Sequence, residues 1–266
     1  MPFKAKPFSY HGQCDLVLLK SKTFESGLGL RVHIRTTRVD KQRMSFSYIS
    51  GTTVQLGADI LEVQDDGSIL INGNYPLLHE SEEGSGDFAG HAITKTLKGK
   101  RKHIIVYDLS LDTDMSIEVR VNTRSGMIYV DFLLGSSSFP SDSVGLLGSP
   151  LHDKLLSRDG TTDLSSAPNS HGEQWQVHSN EPKLFKDMNR SPQHPLGCIY
   201  EAGQQEATYL RRRHLMDYVT ETTVEAAEEA CARATGVKKQ FCIDDVIATG
   251  DFELAEDRFY GGGEKF

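Results

Sequence analysis

Residues 28–35 read Leu-Gly-Leu-Arg-Val-His-Ile-Arg, and this stretch decides the fold class. Apolar and polar side chains alternate along it with a period of two residues. The two alternating sets are Leu28, Leu30, Val32 and Ile34 on one face and Arg31, His33 and Arg35 on the other. Because successive side chains of a strand point to opposite faces, the pattern predicts a half-buried antiparallel β-strand with one face against the core.

Similar short segments continue to about residue 135, separated by Gly, Asp and Asn. The segments that predict strands are Met44–Ile49, Thr52–Leu56, Asp59–Val63, Ile69–Asn72, Ile104–Tyr107, Ser116–Val121 and Met127–Leu134. Asp65-Asp66-Gly67 and Arg124-Ser125-Gly126 supply residues that tolerate positive φ in the turns between strands. Seven or more short strands at this spacing predict a mainly β fold, either an antiparallel β-sandwich or a barrel.

The composition excludes several classes of protein. The chain has 266 residues, of which 38% are hydrophobic and 25% charged, and these values argue against disorder, collagen or a coiled coil. Its formal net charge of −8 offers no basic surface for a phosphate backbone, so we expect no nucleic-acid partner. No apolar stretch approaches the ~20 residues of a transmembrane helix. The opening Met1-Pro2-Phe3-Lys4 lacks the apolar core of a secretory signal, so we expect an excised domain.

The pattern changes after the strands. Residues 136–200 are rich in proline, contain the single Trp175, and read as a long segment that wraps around the β domain. After Gly203, helical spacing and the alanine-rich residues 225–234 predict a small helical appendix, with a helix that ends at Gly250. We therefore divide the chain into a β domain over residues 1–200, a helical appendix over 201–260 and a flexible tail over 261–266.

Four landmarks stand in order along the chain: FSYHGQCDLVLL (residues 8–19), VGLLGSP followed by LLSRDGTTDL (144–164), EQWQV followed by EPKLF (173–185), and Cys198. In this order they resemble the landmarks of a von Willebrand factor type D domain, and residues 228–257 resemble the helical region with a cysteine pair that trails such domains. The resemblance covers nearly the whole chain and implies an antiparallel β-sandwich. Within that family, the sequence GLGLRVHIRT (27–36) most resembles single-domain versions in secreted microalgal proteins.

The four cysteines stand at positions 14, 198, 231 and 242 without C-x-x-C spacing. Their number alone leaves both two disulfides and free buried thiols open. The resemblance implies a disulfide between Cys14 and Cys198, and a local one between Cys231 and Cys242. A loop as long as the first would contribute roughly 4–5 kcal/mol on the chain-entropy model. Such bonds persist in secreted proteins, so we expect an extracellular or cell-surface location as part of a secreted precursor.

The resemblance also implies a calcium site, and here the sequence departs from the family. In the family, calcium is bound by an acidic residue near the opening strands and by Asn and Asp residues that follow the Gly-Leu-x-Gly turn. The matching loop, residues 149–153, has one good oxygen donor, Asp153, and Asp159 and Asp163 follow it. Because calcium takes six to eight oxygens, we expect no metal and no other cofactor, with Asp153 and Asp159 as ligands if calcium binding is retained. The Asp-Pro bond at which some members cleave themselves is absent.

No pattern of catalytic residues stands out. The ten histidines show no His-Glu-x-x-His spacing, and no Gly-x-Ser-x-Gly elbow is present. The histidines of the β region are expected to be structural or at the surface: His11, His33, His79, His91 and His103. The basic run at residues 211–214 is expected to form the solvated face of a helix rather than a docking site. Asn189 begins a glycosylation sequon, although Pro192 follows it directly.

The sequence therefore favours a non-catalytic extracellular interaction or structural module that serves adhesion, mucilage or matrix assembly. Its expected partner is an extracellular protein or glycan matrix, or a second copy of itself. Two alternatives stay open: part of a larger secreted enzyme such as a luciferase-like oxidase, and a lipid-carrier accessory domain. Glu80–Gly90, a polar and glycine-rich stretch between predicted strands, is the first candidate contact region.

Overall fold

The structure, a computed structural model, describes residues 8, 10, 12–41, 44–80, 82–98, 102–134, 139–149, 154–186, 221–250, 252 and 255. The first helix predicted after Gly203, the basic run at 211–214, the boundary predicted at residue 200 and the predicted tail over 261–266 lie outside these residues.

Two antiparallel sheets of five strands each form the β domain. The first sheet follows chain order, with β1 at Asp15–Ser21, β2 at Leu30–Lys41, β3 at Met44–Leu56, β4 at Asp59–Gln64 and β5 at Ile69–Ile71. The second sheet does the same, with β6 at Gly84–Phe88, β7 at His91–Lys98, β8 at Ile104–Asp112, β9 at Met115–Asn122 and β10 at Met127–Leu134. The predicted fold class, a mainly β antiparallel sandwich with a small C-terminal helical part, is confirmed.

The helices among the described residues are short. They are α1 at Phe24–Gly27, α2 at Leu77–Glu80, α3 at Pro168–Gln174, α4 at Glu221–Ala230 and α5 at Gly236–Thr249. Within α1, Glu25 and Ser26 have positive φ, so this element is a turn between β1 and β2 rather than a regular helix. The sequence predicts helices only late in the chain. That expectation is wrong for α2 and α3, which are too short to show helical periodicity.

The inner faces of the two sheets share one hydrophobic core. The alternation in β2 places three of its apolar side chains in this core, Leu30, Val32 and Ile34. Ile117 of β9 belongs to the same cluster from the opposite sheet. Tyr107 of β8 also joins the sheets, because its buried hydroxyl donates to the Gly67 carbonyl at 2.7 Å. The inward-facing half of the period-two pattern is therefore confirmed for these three residues of β2. It is wrong for Leu28, which was predicted on the same face but lies before β2 begins and is 43% exposed.

Two strand predictions need correction. The segments Met44–Ile49 and Thr52–Leu56 are predicted as separate strands but form the continuous strand β3, in which a register shift opposite β2 absorbs the irregularity. Glu80–Gly90 is predicted as a connecting loop, with Gly84-Ser85-Gly86 as a turn. These glycines lie in β6, whose pairing with β7 overrides their low strand propensity.

The segment described at residues 139–149 and 154–186, hereafter the wrapping segment, extends the first sheet beyond the free edge of β1. The Val17 amide donates to the Trp175 carbonyl at 2.8 Å, while Lys20 and Val144 exchange two backbone bonds at 2.7 and 2.9 Å. A Cβ at Gly145 would lie 2.3 Å from the Leu18 carbonyl oxygen, so only glycine fits at this approach. These contacts confirm the prediction of a wrapping segment and protect a sheet edge.

The helices α4 and α5 form a second, smaller cluster. The predicted Cys231–Cys242 disulfide is present and lies in a cluster with Ala227 and Val246. Gly250 ends α5 as predicted, because it has a left-handed conformation (φ 70°) and its amide donates to the Val246 carbonyl at 2.8 Å. None of the helices in the described ranges is long and apolar enough to cross a membrane.

Candidate functional site

The outer face of the first sheet, which points away from the second sheet, is covered by the wrapping segment. His33 and Arg35 lie on this face and are each 3% exposed. The Lys186 amide donates to buried Glu62 at 2.8 Å, so the end of the segment is bonded directly to the sheet. The sequence predicts β2 as half-buried. This is wrong for the outer face, because the residues that cover it lie more than a hundred positions away in sequence.

A buried ion pair joins β1 and β2 on this face. Arg35 Nε and Nη2 donate to the two carboxylate oxygens of Asp15 at 2.7 and 2.9 Å. The two side chains are 4% and 2% exposed, and the Phe185 ring centroid lies 4.2 Å from the Arg35 guanidinium carbon. Two parallel charge-assisted bonds and a stacked aromatic ring satisfy the buried guanidinium. Because Phe185 belongs to the wrapping segment, its contact with Arg35 holds the end of that segment against the sheet.

Trp175 is a second anchor of the wrapping segment. Its indole nitrogen donates to the Leu156 carbonyl at 3.2 Å. The Lys20 amine and the Arg158 guanidinium carbon lie 5.5 and 5.2 Å from the indole ring centroid, within cation–π range. Arg158 also donates to the carbonyls of Gln174 and Gln176, on either side of the tryptophan. The arrangement brings two cations to one aromatic ring.

Glu181 is the carboxylate that balances these cations. It accepts a bond from Arg158 Nη1 at 2.7 Å and another from the His178 amide at 3.0 Å, and it lies 3.8 Å from the Lys20 amine. Burial acts to raise the pKa of Glu181, but the bonds from Arg158 and His178 and the nearby positive charges lower it to about 2. Desolvation is the largest effect on the pKa of Lys20 and lowers it, and the charge of Arg158 acts in the same direction. The negative charge of Glu181 acts to raise this pKa but does not offset them. Two cations, Lys20 and Arg158, share this one carboxylate, so positive charge is in excess here.

A cleft of about 360 Å³ opens beside this network, between the β1–β2 turn and residues 180–182. Its described lining contains three basic side chains, Lys20, Lys22 and Arg31, and one carboxylate, Glu181. Lys20, Arg31 and Gln55 lie side by side on neighbouring strands, since Lys20 pairs with Arg31 and Arg31 with Gln55 in register. Within the described part of the chain, neither Lys22 nor Arg31 forms an ion pair. We call this site the basic cleft.

His33 lines the basic cleft as a neutral imidazole. Burial lowers the pKa of His33 to about 3, and the charges of Arg31, Arg158 and Lys20 act in the same direction against Glu181. At neutral pH the ring therefore carries no charge. It offers the cleft a hydrogen-bonding group rather than a proton to transfer.

The rim of the basic cleft is held in place by the β1–β2 turn. Asp142 accepts bonds from the Ser21 hydroxyl, the Thr23 hydroxyl and the Lys22 amide, each at 2.7 Å, and from the Thr23 amide at 3.1 Å. Glu25 contacts His91 of β7 at 3.1 Å. Burial acts to raise the pKa of Asp142, but the bonds from Ser21, Thr23 and Lys22 outweigh it and lower the pKa. The turn is thus tied to both the wrapping segment and the second sheet.

The residues proposed from the sequence lie elsewhere. Cys14 is disulfide-bonded, but Cys198, its predicted partner, lies outside the described residues, as do Asp153 and Asn189. Asp159 closes a turn with Gly160, and its carboxylate accepts bonds from Ser157, Thr161 and Thr162 at 2.5–2.9 Å. These bonds, led by that from Ser157, lower the pKa of Asp159. The structure therefore gives Asp159 a role in the turn.

Asp163, the other calcium candidate, and His171 are also engaged in local structure. The Ser165 hydroxyl and amide and the Lys154 amine lower the pKa of Asp163 to about 2. His171 contacts the Leu146 carbonyl at 3.0 Å through Nε2 and joins α3 to the Gly-Leu-Leu-Gly turn. Across the described ranges, no three His, Cys, Asp or Glu side chains form a group that would hold a metal ion.

The basic cleft could not be read from the sequence. Its cations stand singly in three different elements, and Asn180 and Glu181 follow in a segment that carries no charge run. The one available signal is that Arg31 and His33 share a face of a strongly predicted strand with Arg35. A comparison with models of known protein families finds no match, and a comparison with curated proteins finds none either.

Proposed function

We propose that this chain is a non-catalytic interaction module of an extracellular protein, related to the von Willebrand factor type D domains that its sequence resembles. The observation that carries the proposal is the basic cleft, a concave site with excess positive charge on a chain of net charge −8. A binding module needs a preformed recognition surface on a rigid scaffold, and the basic cleft meets this requirement.

The landmarks of the resemblance that lie within the described residues support this proposal, because they have packing roles. The turn at Gly145–Gly148 lies against β1, and Trp175 holds Lys20 and Arg158 beside the basic cleft. The Cys231–Cys242 disulfide and the disulfide-bonded state of Cys14 favour an oxidising compartment. We therefore infer a role in adhesion or matrix assembly, which requires a rigid surface that binds a partner outside the cell.

Retention of extracellular matrix tests this function. The oxidised chain is immobilised and incubated with matrix extracted from the organism that makes it, and the retained protein and glycan are measured. We expect the folded, oxidised chain to retain matrix and the reduced, denatured chain to retain none. Absence of retention by the folded chain contradicts the proposal, and so does substrate-dependent oxygen consumption that a single histidine substitution abolishes.

A further inference from the structure

We propose that the basic cleft binds an acidic saccharide, with Lys22 and Arg31 contacting a sulfate or carboxylate group and the neutral lining contacting the sugar hydroxyls. This inference rests on the proposed function, because it names the partner of that interaction module.

The charges of the cleft point to an anion. Three basic side chains face a single carboxylate, and Glu181 is already occupied by Arg158 and Lys20. Lys22 and Arg31 make no ion pair with any described residue, so their charges are available to a ligand. Charge-assisted bonds from ammonium and guanidinium groups are the strongest means by which proteins bind sulfate and carboxylate.

The neutral part of the lining points to a saccharide rather than a bare ion. Asn180 adds an amide that both donates and accepts hydrogen bonds, and His33 adds a neutral imidazole. The Gln55 amide accepts from Arg31 Nη1 at 3.4 Å and donates to the Gly57 carbonyl at 3.1 Å, so it holds the Arg31 guanidinium at the cleft. Leu28, at the rim, is 43% exposed and offers an apolar surface to the C–H face of a sugar ring. A lining of cations, amides and one exposed apolar side chain matches the chemistry of an acidic sugar, which combines charge, hydroxyls and C–H surface.

The volume of the cleft and the net charge of the protein favour the same ligand. A volume of about 360 Å³ falls in the range of roughly 300–1,000 Å³ seen for small-molecule sites, and exceeds what a single inorganic anion fills. The net charge of −8 repels dense polyanions at long range, so recognition depends on short-range contacts within the cleft. The bonds from Asp142 fix the rim beforehand, which lowers the entropic cost of binding.

Titration of the intact, oxidised chain with defined oligosaccharides tests this inference. The probes are a sulfated hexasaccharide, a carboxylated hexasaccharide, the desulfated form of the first, inorganic sulfate and an acidic peptide of the same charge. Binding is followed by calorimetry and by the fluorescence of Trp175, the only tryptophan, which lies 5.5 Å from the Lys20 amine. We expect at least one acidic hexasaccharide to bind, with an affinity that falls as salt rises.

Two charge-removing variants and one matched control locate the binding. Lys22→Gln and Arg31→Gln should each weaken binding by about tenfold, the loss expected for one charge-assisted contact. Lys98→Gln removes the same charge from β7, outside the cleft, and should leave the affinity unchanged. Thermal melts and Trp175 emission establish that each variant folds.

The inference is overturned if neither acidic hexasaccharide binds, if the desulfated form or the acidic peptide binds equally well, or if Lys98→Gln weakens binding as much as the cleft variants do. These results leave the interaction module standing when the folded chain still retains extracellular matrix. Conversely, hexasaccharide binding at the cleft without matrix retention supports the site and contradicts the proposed module.

Discussion

Replacing Arg35 by methionine removes the cation from the buried pair with Asp15. The pair has two bonds of 2.7 and 2.9 Å, and its side chains are 4% and 2% exposed, so the remaining carboxylate would stay buried without its guanidinium. Breaking a buried pair in this way costs about 3–5 kcal/mol of unfolding free energy. At about 2–4 °C per kcal/mol for a domain of this size, we expect the midpoint of thermal unfolding to fall by about 6–20 °C.

The double variant Arg35→Met with Asp15→Leu provides the control. Replacing both charges by apolar side chains leaves no buried charge unpaired, so most of the lost free energy should return. Urea unfolding followed by Trp175 fluorescence measures all three chains, and it reports on the wrapping segment directly. A loss below about 1 kcal/mol for Arg35→Met would refute the reasoning, as would a double variant less stable than the single one.

Three further predictions concern pH, disulfides and calcium. The pKa of His33 lies near 3 in the folded chain, below its ordinary value, so stability should be full above about pH 6.5 and fall as pH drops towards 3. In urea melts His33→Gln should reduce this fall and His178→Gln, at an exposed position, should not. Non-reducing mass mapping should find Cys14 with Cys198 and Cys231 with Cys242, and a major species joining Cys14 to Cys231 would contradict the pairing. Replacing Cys231 should cost about 3 kcal/mol, less than replacing Cys14, because its loop spans 11 residues. Melting in chelator and in millimolar calcium should give the same midpoint, since the Asp159 carboxylate is held by its own turn; a rise of several degrees that Asp153→Ala abolishes would contradict this.

The core-facing sides of the two sheets can be predicted from the sequence, because their burial follows from local periodicity. Leu30, Val32 and Ile34 alternate with polar residues, and their burial against the second sheet follows from the strand period alone. The same logic fails for β6, because a Gly-Ser-Gly stretch has no side-chain pattern and forms a strand through its pairing with β7.

The outer face of the first sheet is buried through contacts between distant parts of the chain. Arg35 reads as a solvent-facing residue until Phe185, 150 positions later, is placed 4.2 Å from its guanidinium. The basic cleft combines side chains from β1, β2 and β3 with residues 180–182, so its excess charge arises only when these elements meet. Periodicity carries no information about which distant segment covers a face, and for this reason the site escaped prediction.

The most direct measurement of the central claim is matrix retention by the wild-type chain and by the Arg31→Gln and Lys98→Gln variants. If the basic cleft is the binding site of an extracellular module, wild type and Lys98→Gln should retain equal amounts of matrix at low salt, and Arg31→Gln should retain about tenfold less. Equal retention by all three folded chains would place binding outside the basic cleft, and no retention by the wild-type chain would contradict the account as a whole.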